Sequence, residues 1–256
     1  MLIAAIAASN TGLNANQSQL DTAGNNLANL NTTSFKANQV QFQDLFYVTL
    51  KYPTFPAPVG EQLGAGVRLS STSKQFTQGP LENTGQPLDV AIEGNGFFQV
   101  LRSDGSTAFT RNGTFQVAPT GQLRTSDGFL LQPAIFIPPN ASQINIATDG
   151  TVTVVVGGVT QTVGQITLVD FANPPGLTAV GTNLYLASEA SGKPVTSTPG
   201  TGGTGLLRQG FLEGSNVDAA TELTNLLIAQ QSFVFNSQAI TVANQMLQST
   251  AALLVQ

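Results

Sequence analysis

Two carboxylates, Asp89 and Glu93, stand four residues apart in a β-type run, and Gly94-Asn95-Gly96 follows at once. Paired carboxylates are what glycoside hydrolysis uses, and a Gly-rich turn after a strand is the first half of a phosphate loop. Neither chemistry is completed. The turn leads into a second β run, Phe97–Leu101, and not into a helix whose N-terminus would hold phosphate. It therefore reads as a β-turn or bulge, and the carboxylates read as solvated. Asp104, Asp127 and Asp149 each precede Gly, which is turn chemistry; a calcium loop needs more oxygen ligands at close spacing. Asn31, Asn112 and Asn140 open acceptor-type sequons, which a Thr-rich chain produces by chance. The chain has no His and no Cys. Ser-His-Asp triads, thiol nucleophiles and cysteine metal sites are excluded, and the commonest general base is missing. No catalytic, cofactor or metal constellation remains, and the reading is not an enzyme.

The elements around these residues are unusually short of charge. Of 256 residues 41% are hydrophobic and 9% charged, against about 25% in ordinary domains. The chain is too apolar for simple disorder. Its net charge is −5 with scattered Lys and Arg, which argues against nucleic acid as a partner, since that needs clustered basic side chains. The opening MLIAAIAAS has no Lys or Arg before Lys36. It lacks the basic region of a secretory signal and is read as mature helix, with no cleaved signal peptide. No apolar run approaches the ~20 residues that span a membrane, so membrane insertion is not expected.

Both ends carry a seven-residue repeat. Ile6, Leu13, Leu20 and Leu27 recur at that interval, with Ile3, Asn10, Gln17 and Gly24 three residues before each. Near the C-terminus Ala219, Leu226, Phe233, Ile240, Leu247 and Leu254 do the same, with Leu223, Gln230, Ser237, Asn244 and Ala251 at the alternate spacing. This is a coiled-coil pattern with a narrow apolar seam whose second row is small or polar, a choice that gives up stability for register. Residues 1–30 hold one charged side chain, Asp21, and none follows Glu222. Helices so poor in charge suit a surface covered by neighbours, and their modest propensity means that they need packing to form. The alternative is two amphipathic helices packed on their own domain. The first helix ends at the turn-forming Asn31-Thr32-Thr33-Ser34; Ser215-Asn216 offers N-cap chemistry for the last.

Between the ends, 37–50 mixes alternating and helical spacing. Pro53, Pro56, Pro58, Gly60, Gly64 and Gly66 then predict an extended connector. From Val67 onward short runs (Leu88–Ile92, Phe97–Leu101, Thr114–Val117, Ile135–Ile137, Ile144–Ile146, Thr151–Val156, Gln165–Val169) alternate with Asp-Gly and Asn-Gly turns. This predicts an antiparallel sandwich or barrel-like domain. Residues 191–205, rich in Gly, Ser, Thr and Pro, read as a mobile loop, and Leu206–Leu212 as a last strand. The fold class is mixed α and β: terminal helices forming a coiled-coil core with an inserted all-β domain. The segments expected are 1–36 helical, 37–66 connector, 67–212 β domain and 213–256 helical. Ends that are alike and far apart, around an inserted module, are the organisation of a subunit that polymerises through its ends.

Residues Asn25-Asn26-Leu27-Ala28-Asn29-Leu30-Asn31-Thr32-Thr33-Ser34-Phe35-Lys36 resemble the N-terminal signature of flagellar rod and hook proteins, with Ser34 where the family has Gly. Asp89-Val90-Ala91-Ile92-Glu93-Gly94-Asn95-Gly96-Phe97-Phe98 is similar to the family's central motif, and Phe109-Thr110-Arg111-Asn112-Gly113-Thr114-Phe115 follows it. Gly210-Phe211-Leu212-Glu213-Gly214-Ser215-Asn216-Val217 resembles the lead into its C-terminal helix, although Gln231 replaces a common Arg and Asn244 a common Asp. The resemblance spans nearly the whole chain, and length and layout are most like the distal rod branch.

The resemblance implies a structural subunit of the bacterial flagellar basal body, self-assembling helically into the hollow distal rod that carries motor torque to the hook. The implied partners are further copies of itself, proximal rod and hook subunits, the L and P ring proteins and the flagellar type III export apparatus. The implied location is the rod, in the periplasmic space of a Gram-negative cell. Self-assembly is expected of Ile6, Leu13, Leu20, Leu27, Leu223, Leu226, Phe233, Ile240, Leu247 and Leu254, with the two helices antiparallel. The motif residues are Asn25, Asn26, Leu27, Asn29, Asn31, Thr32, Phe35, Lys36, Asp89, Gly94, Gly96, Phe97, Phe98, Ser215, Asn216 and Val217. The alternatives are a proximal rod or hook subunit and, from another class, a secreted β-domain adhesin or glycan-binding module.

Overall fold

The structure is a computed structural model; it describes residues 2–52 and 60–254, and the prolines at 53, 56 and 58 of the expected connector lie outside the described residues. The chain forms two compact units. One comprises residues 1–28, 38–74 and 218–256, the other 29–37 and 75–217.

The first unit holds both long helices, α1 (Leu2–Ala28) and α2 (Ala219–Leu254). They pack against each other and run antiparallel. A Cβ at Gly12 would stand 2.8 Å from Asn236 Nδ2, and further along Asn26 Nδ2 donates to Glu222 Oε1 at 2.8 Å. The N-cap of α2 is not Ser215-Asn216 but Asp218, whose Oδ1 accepts from Thr221 N at 2.7 Å, satisfying an orphan donor of the first turn. The mixed-spacing segment at 37–50, with the described part of the expected connector after it, forms a hairpin ladder. Asn38–Asp44 pairs antiparallel with Val67–Lys74, and Tyr47–Lys51 with Glu61–Gly64. It lies along α1, where Thr11 Oγ1 accepts from Val67 N at 3.1 Å. Strand Val67–Lys74 thus groups with the helices, and by compactness the divide falls after Lys74.

The second unit is antiparallel β throughout. A nine-stranded sheet is built on Phe97–Leu101, flanked by Thr107–Thr110 and Leu130–Gln132. Period-two alternation buries both faces of the central strand. Phe98 enters a core with Val90, Phe115, Leu123, Val152, Val154, Ile166 and Leu207, while Phe97 enters an aromatic cluster with Phe109, Phe171 and Tyr185. Its rings meet edge-on, Phe97 and Phe171 at 5.8 Å and Phe109 and Phe171 at 4.9 Å, the geometry that ring quadrupoles favour. A three-stranded sheet, Ala141–Ile146, Thr151–Val156 and Val159–Gln165, contributes to the first core.

Among the described residues no sheet closes into a barrel, so the barrel-like expectation is corrected to open antiparallel sheets. Ile135–Ile137 is not a strand; Phe136 makes an isolated bridge to Gln122. The loop expected to be mobile at 191–205 is hydrogen-bonded. Val195–Ser197 pairs with Leu168–Asp170, and Thr204 Oγ1 donates to Thr201 O at 2.7 Å. Leu206–Leu212 is two strands, Leu206–Gln209 on Val90–Glu93 and Phe211–Glu213 on Leu81–Asn83.

Candidate functional site

The residues singled out for chemistry are structural. Glu93 forms a surface ion pair, accepting from Arg208 Nε at 2.6 Å. Asp89 is not solvated as expected: it is 8% exposed and accepts from Thr84 Oγ1 at 2.6 Å. Asp104 accepts from the hydroxyl and the N–H of Ser106, and Asp149 from the N–H and the hydroxyl of Thr151, and these bonds hold both carboxyls below the usual carboxylate range. Gly94-Asn95-Gly96 is a turn whose two glycines, at φ +115° and +120°, direct their carbonyls at one cation. Arg111 donates from Nη2 to Gly94 O at 2.9 Å and from Nη1 to Gly96 O at 3.0 Å.

That cation belongs to a buried knot that gathers the sequence motifs. Glu213 is 1% exposed. Its Oε2 accepts from Arg111 Nε at 2.7 Å, and its Oε1 accepts from Lys36 Nζ at 2.6 Å and from Gly79 N at 2.9 Å. Lys36 also donates to Thr77 O at 2.7 Å. Burial pulls the Lys36 ammonium down to about 8, against the opposing pull of Glu213. Ser34, at φ +57°, donates its hydroxyl to Arg111 O at 2.9 Å and its N–H to Glu213 O at 2.7 Å. Asn216 accepts from Ala37 N at 2.8 Å and donates to Gln75 O at 2.8 Å. Phe35 and Val217 pack together beside Ala37.

The remaining motif residues are placed as follows. Asn26, 1% exposed, accepts from Asn38 N at 2.8 Å and donates to Asn38 O at 2.9 Å. Asn25 accepts from Asn38 Nδ2 and Asn29 from Thr32 Oγ1, each at 3.1 Å. Ser215 accepts from Val217 N at 3.3 Å, and Asn31 is exposed. Ser34, Thr77, Gly79, Arg111 and Glu213 were not among the candidate site residues. The signal was present: in a chain with nine basic side chains, Lys36 and Arg111 each sit inside an otherwise uncharged motif.

In the helix pair the d-type row faces inward. Ile6, Leu13, Leu20 and Leu27 on α1, and Leu226, Ile240 and Leu247 on α2, are half-buried, with Phe233 at the margin. The accompanying row is one residue away from expectation. Ile3, Asn10, Gln17 and Gly24, and Leu223, Gln230, Ser237, Asn244 and Ala251, are all exposed. The inward partners are Ser9, Asn16 and Ala23 on α1 and Glu222, Ala229, Asn236 and Ala243 on α2. Ala23, Ala229 and Ala243 are buried, and side chains that small let the backbones approach. Leu254 ends α2, its side chain lying outside the described residues. Large apolar side chains are left outside: Leu223, Leu227, Ile228, Phe235 and Met246 are each about half exposed or more. On the hairpin so are Phe46, Tyr47 and Val48.

Among the described residues no three potential metal ligands cluster, and no helix is long and apolar enough to cross a membrane.

The motifs that meet in the knot are those on which known proteins match. Residues 6–36 fit the family model described as flagella basal body rod protein, 91–154 the flagellar hook protein FlgE/F/G D1 domain, and 208–253 the flagellar basal body rod FlgEFG protein C-terminal. The flagellar basal-body rod protein FlgG of Buchnera aphidicola subsp. Baizongia pistaciae is 45% identical, covering 98% of this chain and 100% of its own. That of Caulobacter vibrioides is 42% identical, covering 95% and 96%. The flagellar hook protein FlgE of Salmonella typhimurium is 25% identical, over 93% of this chain and 96% of its own. Identity at this level along essentially the full length of both chains places the sequence within a family: the chain belongs to the flagellar basal-body rod proteins, on their FlgG branch.

Proposed function

We propose that the chain is a structural subunit of the distal rod of the bacterial flagellar basal body, self-assembling helically into the hollow shaft that transmits motor torque to the hook. The carrying observation is the outward face of α2, where Leu223, Leu227, Ile228, Phe235 and Met246 stay exposed on a helix with no charge after Glu222. Apolar surface arranged in this way marks an interface. Further copies of the same helix pair would cover it, in coiled-coil fashion, around a central core. The exposed Phe46, Tyr47 and Val48 suggest that the hairpin region of 37–66 grips a neighbouring subunit and adds torsional stiffness. On this reading the partners are proximal rod and hook subunits, the L and P ring proteins and the export apparatus, and the place is the rod within the periplasm. The rod reading is favoured over the hook reading by 45% identity to a rod relative against 25% to a hook relative.

Sedimentation with far-UV circular dichroism on the full chain, as concentration rises, tests the proposal. Helix content growing with assembly is the expected result. A fully helical monomer at all concentrations would mean that the terminal helices serve only their own subunit.

A further inference from the structure

The geometry points to a closure latch: Lys36, Arg111 and Glu213 make folding of the β unit conditional on arrival of its C-terminal segment. The unit is assembled from residues 29–37 and 75–217, and Glu213 is the carboxylate that both buried cations share. Lys36 is 0% and Arg111 3% exposed. Without Glu213, Arg111 is left donating to neutral acceptors, the carbonyls of Gly94 and Gly96. Removing one partner of a buried charge group leaves uncompensated charge and is far more damaging than never having built the group. The same segment supplies backbone to the sheets. Leu206–Gln209 pairs with Val90–Glu93, Gly210 N donates to Asp89 O at 2.7 Å, and Leu207 is in the main core.

A chain that emerges N-terminus first therefore exposes nearly all of its β strands before the counter-ion exists, and the sheets gain their closing strands and their compensated charge in one event. This inference concerns folding order and stands independently of the rod reading. Where that reading holds, the latch keeps the delivered part of the chain unfolded on the far side of a narrow export channel until almost all of it has emerged.

Hydrogen exchange read by mass spectrometry on the full chain at neutral pH tests the latch. In the unaltered protein, peptides covering 206–214 and 90–101 are expected to lose protection together. Glu213→Gln is expected to speed exchange roughly 10²–10⁴-fold across the nine-stranded sheet, even if the variant fails to fold. The triple variant Lys36→Met, Arg111→Met, Glu213→Leu, with no charge left to compensate, is expected to regain sheet protection. Loss confined to 33–37 and 206–214 in Glu213→Gln, with the sheet still protected, overturns the latch. So does a triple variant no better protected than the single one, because unpaired charge is then not the cause.

Discussion

Lys36 Nζ lies 2.6 Å from Glu213 Oε1, with both side chains fully buried and the two residues 177 positions apart in sequence. The pair joins the end of the N-terminal motif to the start of the C-terminal one, and Arg111 brings the central motif to the same carboxylate. The three stretches that identify the family are thus one structural object, and their spacing in sequence reflects where the chain returns to it.

Lys36 gives this object a pH signature. Its ordinary value is 10.5, and burial lowers it to about 8 in the folded chain. Below pH 8 both states hold the proton, and the folded state bears the full cost of a buried ammonium. Between about 8 and 10.5 the unfolded chain binds a proton that the folded chain has released, so stability from this group rises with pH. The neutral amine still donates to Glu213 and Thr77. The urea midpoint of the unaltered chain should therefore climb from pH 8 to 10 relative to that of Lys36→Met. Parallel profiles in the two proteins would remove Lys36 as the source.

Ser34 adopts φ +57°. Positive φ costs a side-chain-bearing residue about 1 kcal/mol, and the hydroxyl offsets it by donating to Arg111 O at 2.9 Å, worth ~0.5–1.5 kcal/mol. Ser34→Gly should then be close to neutral, since it relieves strain and loses the bond. Ser34→Ala keeps the strain and loses the bond, and should cost about 1–2 kcal/mol. Urea unfolding of the three proteins gives the order, and an alanine variant as stable as the serine protein refutes the compensation.

Much of this was legible in sequence for identifiable reasons. Phe97–Leu101 and Thr151–Val156 were placed to the residue, because β-branched and aromatic runs between Gly turns have few alternatives. Leu168–Asp170 and Thr107–Thr110 were missed or misplaced, because strands of three or four residues owe their pairing to neighbours and carry too few positions to show a period. The helix seam was half legible. Large side chains marked the row at Leu13, Leu20 and Leu27, but the second row was sought among residues three before each, when Ala23 and Ala229 four before Leu27 and Phe233 are the buried ones. Positions three and four away flank the same stripe on a helix, and residue type did not decide between them: Gly24 and Ser237 are exposed, while Ala23 and Asn236 face inward. The knot was invisible as a site because its members lie in three separate stretches, and Asp89 read as solvated because Thr84, its hydrogen-bond donor, belongs to a turn that sequence did not fold back.

Asn26 is the polar counterpart in the first unit. Its carboxamide satisfies both backbone groups of Asn38 and also reaches Glu222 on α2. Asn26→Ala leaves these groups unpaired in a site only 1% exposed, at about 1–3 kcal/mol for each buried one. Asn26→Asp keeps the acceptor for Asn38 N but sets a second carboxylate against Glu222. Both variants should lose helix content in far-UV circular dichroism of the full chain, while near-UV signals from the buried Phe97 and Tyr185 cluster persist. Full helix content in Asn26→Ala would show that the bonds are dispensable.

The outward face of α2 separates subunit folding from assembly. Leu227 is 63% and Ile228 56% exposed in the single chain, so a charge at either should change subunit stability by no more than ~0.5 kcal/mol. In a polymer that covers this face the same charge must be desolvated without a partner. A penalty of even ~2 kcal/mol per contact raises the concentration needed for assembly about thirtyfold, and every subunit of a helical lattice bears it. Leu227→Glu and Ile228→Glu should therefore unfold like the unaltered chain yet fail to sediment as filaments. Val159→Glu, at a site 60% exposed in the β unit, serves as the control and should assemble normally. If the helix variants polymerise at the unaltered threshold, the α2 face is not the assembly surface, and the exposed hairpin at Phe46 and Tyr47 becomes the surface to alter next.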